Sequence, residues 1–177
     1  MYNISDVKYR IIRLEEDTDI KPFDCGDNEL NDFLYNDAKQ YHKSLLAVTY
    51  LLENDADTIG YYSLLNDKME KNEESKSIWN RLSRKVAFNK RRKTYPAVKI
   101  GRLAVSEKYR GLKFGSAIID YVIGSYTDKN QVAGCRFITV DAYSKAVSFY
   151  EKNDFICLTN KDINEDTRTM FFDLMTI

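Results

Sequence analysis

The sequence predicts an α/β fold with a mixed, mainly antiparallel sheet flanked by helices. Strand-like and helix-like runs alternate in the order β, α, β, β, α, β, α, β, α, β, β. The runs Ala97–Val105 and Cys135–Tyr143 are separated by one amphipathic helix, so residues 97–141 read as a right-handed parallel crossover. Hairpin-like pairs of runs stand on either side of that crossover, and these pair antiparallel. At 177 residues the chain suits one domain, covering residues 1–177, with no linker and no internal repeat.

The elements follow in order. "KYRIIRL" (Lys8–Leu14) is a first strand. Asp27 is a good N-cap for a helix that places Leu30, Phe33, Leu34, Ala38 and Tyr41 on one face. "LAVTYLL" (Leu46–Leu52) and "TIGYYSLL" (Thr58–Leu65) are the arms of a hairpin turned by "NDAD". Asn66–Ser77 is polar and reads as a loop, followed by a short helix over Ile78–Arg84 anchored by Trp79 and Leu82. After the Ala97–Val105 strand, a helix over Gly115–Tyr126 carries Ile118, Ile119, Val122, Ile123 and Tyr126 on one face. Cys135–Tyr143 is a strand buried on both sides at its centre. Ser144 caps a short helix ending near Asn153, and Phe155–Leu158 and Arg168–Met175 close the chain as a hairpin.

Composition excludes several classes. Hydrophobic residues are 44% and charged residues 31%, and the formal net charge is zero, which argues against a chain built wholly to coat nucleic acid or a membrane. No run approaches the ~18 apolar residues of a membrane span, and the N-terminus has no apolar signal core, so a cytoplasmic protein is expected. Cys25, Cys135 and Cys157 are odd in number and far apart, without a CxxC pair, so they read as buried thiols and no metal site is predicted. The single histidine, His42, most simply complements a helix C-terminus. Charge is uneven: residues 53–74 hold seven acidic side chains, whereas residues 75–102 hold none and carry ten lysines and arginines.

The stretch "EKYRGLKFG" (Glu107–Gly115) joins the Ala97–Val105 strand to the following helix. The first turn of a helix offers backbone N–H groups without internal partners, and its dipole favours negative charge. Gly111 and Gly115 let an oxyanion approach the backbone, and Arg110 and Lys113 add positive charge, so a diphosphate would suit the turn. It is neither a Walker loop nor a dinucleotide GxGxxG. On chemistry alone, a purely structural turn is the commoner reading.

Here the sequence resembles a family. Arg110-x-x-Lys113-x-Gly115 is similar to the Gln/Arg-x-x-Gly-x-Gly/Ala pyrophosphate loop of the GNAT acetyltransferases, with a lysine at the middle glycine. "IGRLAV" before it and "AVSFYEKNDF" (Ala146–Phe155) after it fit in order and spacing. The resemblance implies a GNAT-like acyl-CoA N-acyltransferase fold whose parallel strands, 97–105 and 136–141, splay apart. It implies acetyl-CoA as acetyl donor, its pyrophosphate on the amides of Arg110, Gly111, Leu112, Lys113, Phe114, Gly115 and Ser116. The pantetheine arm would add to the edge of Leu103, Ala104 and Val105 like a short strand. A main-chain N–H near Leu103 would polarise the thioester carbonyl. By family position Tyr150 meets the leaving thiolate as acid, with Tyr143 in reserve.

The acceptor is an amine. A lysine side chain, with a pKa of about 10.4, is almost wholly charged at neutral pH, whereas an α-amine, at about 7.7–8.0, is partly neutral. With no histidine placed as a base, an α-amine is favoured. "CGDNELNDFL", "VTYLL", "IGYYSL" and "YPAVKIGRLAV" resemble one branch of the family, the acetyltransferase toxins of bacterial toxin–antitoxin pairs. That resemblance implies aminoacyl-tRNA as acceptor, a ribbon–helix–helix antitoxin as partner and a homodimer as an assembly common in the family. Lys90, Arg91, Arg92 and Lys93 would hold the acceptor stem through phosphates. Two other readings stay open: an N-acetyltransferase of a small metabolite or protein N-terminus, and a CoA-binding module without turnover.

Overall fold

Alternating and β-branched runs form most of the strands where expected. A computed structural model describes residues 2–4, 6–70, 75–83, 94–127 and 133–177. The chain divides into two compact units, Met1–Leu65 with Ile100–Gly124 and Asn66–Lys99 with Ser125–Ile177. The long strands β4 (Thr58–Glu70) and β5 (Thr94–Val105) contribute to both.

In the first unit the strand order is β1 (Tyr2–Ile4), β2 (Val7–Arg13), β3 (Val48–Glu53), β4, β5. β2 pairs antiparallel with β3 (Ile11 opposite Leu52), and β3 with β4 (Tyr50 opposite Tyr62). Helices α1 (Asn28–Asp32) and α2 (Ala38–Lys43) are joined without a break by a π-helical turn over Phe33–Asp37. Asp27 caps α1 as expected, its carboxylate accepting from the amides of Glu29 and Leu30. Leu14, Phe23, Phe33, Leu34, Ala38, Leu51, Tyr61 and Ala104 form the core here. Tyr61 is fully buried, and its hydroxyl donates to the Leu30 carbonyl at 2.7 Å, which ties β4 to α1. His42 ends α2 as expected and also meets Glu15, with Nε2 3.0 Å from Oε2.

In the second unit the order is β5, β6 (Phe137–Tyr143), β8 (Thr167–Asp173), β7 (Ile156–Cys157). β5 and β6 are parallel, with Ala97, Val98 and Lys99 opposite Phe137, Ile138 and Thr139. β6–β8 and β8–β7 are antiparallel. A mixed sheet that includes a parallel pair is therefore the predicted one. Phe137 through Val140 are all buried, which agrees with a strand covered on both faces. Trp79 and Leu82 of α3 (Lys76–Ser83) are buried as anchors, the Trp79 ring 4.9 Å from that of Tyr95. The chain continues through α4 (Phe114–Thr127) and α5 (Val147–Glu151).

Several expectations are corrected. The predicted loop from Asn66 is strand as far as Glu70, because Met69 is buried in the second core and Asp67 accepts a 2.5 Å hydrogen bond from the Thr139 hydroxyl. Strand β1 is not among the predicted elements; it pairs with β2 through Tyr2 opposite Tyr9, whose rings stack at 5.4 Å. Ser144 does not cap the last helix. It lies in a 3-10 turn over Ser144–Ala146, and its hydroxyl donates to the carbonyls of Glu165 and Asp166. Among the described residues no helix is long and apolar enough to cross a membrane.

Candidate active site

The site residues fall on two parts of the chain, each of which has its own local geometry. In the first unit β5 ends at Val105, and the Ser106 amide donates to the Ile59 carbonyl at 2.9 Å. A 3-10 turn over Glu107–Tyr109 follows. Arg110 is extended, Gly111 has φ +84°, Lys113 has φ +65°, and α4 begins at Phe114. The amides of Phe114, Gly115 and Ser116 lie in the first helical turn, where no intrahelical acceptor exists. Gly111 and Lys113 are exposed, and a side chain at Gly111 would meet nothing within 4 Å. The loop surface is thus open, and the glycine at 111 is required by conformation rather than by space.

Lys113 explains the departure from the family pattern. Its position needs a left-handed backbone, the conformation a glycine adopts without cost and an L-residue at about 1–2 kcal/mol. The chain keeps the turn and carries that strain in a lysine whose side chain is exposed to solvent.

The turn is held from below. The Phe114 ring is buried against Tyr9 and Tyr109, at centroid distances of 5.4 and 5.9 Å. The buried Tyr109 hydroxyl donates to Asp57 Oδ2 at 2.6 Å and accepts from Asn54 Nδ2 at 2.8 Å. The Lys108 ammonium, first, and the Tyr109 hydroxyl, second, lower the Asp57 pKa. Arg110 does not swing free: Nη2 donates to the Cys25 carbonyl at 2.8 Å, and Nη1 lies 3.2 Å from Glu107 Oε1. The Glu107 amide in turn donates to the Asp24 carbonyl at 2.9 Å. Gly26, at φ +74°, lies so close to Glu107 that a Cβ would sit 2.5 Å from its Oε1. "CGDNEL" is therefore the loop against which the turn before α4 is built, a role that sequence spacing does not show.

Leu103, Ala104 and Val105 end the same strand. The parallel ladder with β6 covers Ala97–Lys99, and β5 runs six residues past it to Val105. Gly60 permits close approach here, since a Cβ would meet the Ala104 carbonyl at 2.8 Å. Just before Leu103, the Arg102 guanidinium lies over the Phe33 ring at 5.3 Å and pairs with Glu29 at 3.2 Å. Sequence spacing does not single out Arg102, because one arginine in a strand carries no periodic signal.

In the second unit Tyr150 sits on α5, 6% exposed, its ring 5.0 Å from Phe149 and 5.4 Å from Phe155. Burial raises its phenol pKa above the ordinary tyrosine value, so the side chain keeps its proton well into alkaline pH. The reserve residue, Tyr143, is 37% exposed at the end of β6, with Lys145 Nζ 5.5 Å from its ring centroid. Lys90, Arg91, Arg92 and Lys93 lie outside the described residues.

Comparison with known proteins gives the architecture its family. The model of the acetyltransferase (GNAT) domain matches residues 46–157, well over half of the chain. Among solved structures, AtaT complexed with acetyl-methionyl-tRNAfMet superposes with a TM-score of 0.76 at 25% identity, covering 96% of both chains. A tyrosine-to-phenylalanine mutant of the AtaT toxin, bound to the C-terminus of the antitoxin AtaR and acetyl-CoA, gives 0.74 at 24% identity, covering 95% of this chain and 94% of that one. A tyrosine-to-phenylalanine mutant of KacT gives 0.75 at 22% identity, covering 96% and 97%. The turn opening α4 lies inside the residues matched by the family, as does Tyr150. The chain belongs to the GNAT family of N-acetyltransferases.

Proposed function

We propose that the whole chain works as one cytoplasmic N-acetyltransferase domain that moves acetyl from acetyl-CoA to the α-amine of aminoacyl-tRNA. In this reading it is the toxin of a toxin–antitoxin pair. The observation that carries the donor half is the turn at Gly111–Lys113, whose two left-handed residues are exposed and lead into the first turn of α4, where unpaired amides favour an anion. The acceptor half is supported by the likeness to AtaT, solved with acetyl-methionyl-tRNAfMet, and by the basic run Lys90–Lys93. An antitoxin as partner is supported by the likeness to AtaT solved with the antitoxin AtaR, and its ribbon–helix–helix form rests on the resemblance in sequence. A homodimer is part of the same proposal.

The chemistry follows from the residues. The pyrophosphate rests on the amides of Arg110–Ser116, with Lys113 alongside and Arg110 exchanging Glu107 for phosphate oxygens. The pantetheine amides extend the edge at Leu103–Val105, and an N–H there polarises the thioester carbonyl. The neutral amine attacks the carbonyl carbon, the C–S bond breaks, and the amine's surplus proton ends on sulfur. Tyr150 donates a hydrogen bond to the leaving sulfur. Its phenol, ordinarily a weaker acid than a thiol by about 1.5 pKa units and weakened further by burial, does not give up its proton outright.

The test is acetyl-CoA cleavage followed as free thiol. Release with aminoacyl-tRNA but not with deacylated tRNA supports the proposal. Release with small amines alone selects a metabolite or peptide acetyltransferase, and CoA binding without release selects a module that has lost turnover.

A further inference from the structure

Arg102 stands apart from the machinery described above, and its surroundings are unusual for a purely structural arginine. It belongs to β5 one residue, about 3.4 Å, before Leu103, the residue proposed to face the thioester carbonyl. Its guanidinium lies over Phe33, the first residue of the π-helical turn, and Nη1 donates to the Gly101 carbonyl at 2.9 Å. These two contacts fix the plane of the fork. Its charge is met by Glu29 through Nη2 at 3.2 Å, where Glu29 is 60% exposed and Arg102 39% exposed. Nε is buried and lacks a hydrogen-bond partner among the described residues. An exposed ion pair of that kind is weak in water, so its carboxylate is easily exchanged for another oxyanion. Arginine's planar fork suits a phosphate oxyanion. π-helical turns inside helices concentrate at functional sites.

We infer that Arg102 reads a phosphate of the acceptor, and that Glu29 holds its place until that phosphate arrives. The inference rests on the proposed function: in aminoacyl-tRNA the phosphodiester nearest the reacting amine lies one nucleoside away from it. Arg102 is a positioning residue here. It orients the acceptor beside Leu103 and takes no part in proton transfer. Displacing Glu29 leaves Nη2 to donate to the phosphate, while the Phe33 ring and the Gly101 carbonyl keep the fork in its plane.

The experiment compares two minimal acceptors, an aminoacyl ester of adenosine 5′-monophosphate and the same ester of adenosine, with acetyl-CoA saturating. The intact protein is expected to show a KM about tenfold or more lower for the phosphate-bearing ester, at similar kcat. Arg102→Gln is expected to remove that difference by raising only the KM of the phosphate ester. Arg102→Lys, which keeps the charge without the fork, is expected to restore part of it, and Glu29→Gln to lower that KM severalfold. A difference that survives Arg102→Gln overturns the inference, as does Glu29→Gln raising KM equally for both esters, the mark of a merely structural pair. Equal Arg102 dependence with a free amino acid as acceptor overturns the phosphate assignment, because a carboxylate is then what is read. Failure of every aminoacyl ester, with small amines still acetylated, overturns the proposed function itself and the inference with it.

Discussion

Arg110 donates through Nη2 to the carbonyl of Cys25, at 2.8 Å, across 85 positions of sequence. This bond joins the turn before α4 to the loop that leads into α1, and Glu107 reinforces it through its amide on Asp24 and its carboxylate on Arg110. Arg110→Ala is expected to raise the Kd for CoA about tenfold and to lower Tm by a few degrees, since it removes a phosphate partner and a loop tie together. Isothermal titration and thermal melting check the two effects. Gly26→Ala, which drives a Cβ into Glu107 and strains a left-handed residue, is expected to reproduce the loss of Tm.

The turn itself predicts opposite effects at its two left-handed residues. Gly111→Ala costs about 1–2 kcal/mol, because open space does not relieve the backbone at φ +84°. Lys113→Gly relieves similar strain while adding unfolded-chain entropy, for a net gain of up to about 1 kcal/mol. It also removes a charge near the pyrophosphate, so CoA affinity should fall more steeply with salt in the parent than in the variant. Denaturant titration, and CoA titration at two salt concentrations, check this pair.

Tyr150→Phe is expected to cut turnover by ~10²–10⁴ while leaving acetyl-CoA affinity within a few fold. Unchanged turnover would remove the phenol from the mechanism.

The buried phenols Tyr61 and Tyr150 set a pH dependence of stability. Burial raises both above the ordinary tyrosine pKa of about 10, so above that pH the unfolded chain releases protons that the folded chain retains. Their contribution to stability is complete below about pH 10 and is lost as pH rises beyond it. Tyr150→Phe should flatten that alkaline loss, measured by urea unfolding from about pH 8 to about pH 11.

The sheet was legible because its signals are periodic. The runs 97–105 and 135–143, with one amphipathic helix between them, leave few options but a parallel pair, and Ala97–Lys99 lie opposite Phe137–Thr139. Strand β4 runs past its predicted end because composition alone reads Asn66–Glu70 as a polar loop. Only tertiary partners, Thr139 for Asp67 and the core for Met69, make it strand. The turn before α4 is visible as glycines and charges, and its left-handed position at 113 is masked by a lysine. The Arg102–Glu29 and Arg110–Cys25 relations join residues 73 and 85 positions apart, which no local pattern encodes.

Acetyl transfer to a charged tRNA is read without intermediaries from the mass of the aminoacyl group, recovered from tRNA after incubation with the protein and acetyl-CoA. A gain of one acetyl on the α-amine is expected, and with Tyr150→Phe the same gain slowed by ~10²–10⁴. An unmodified aminoacyl group, with acetyl-CoA bound and intact, would mean that the protein is not the enzyme proposed.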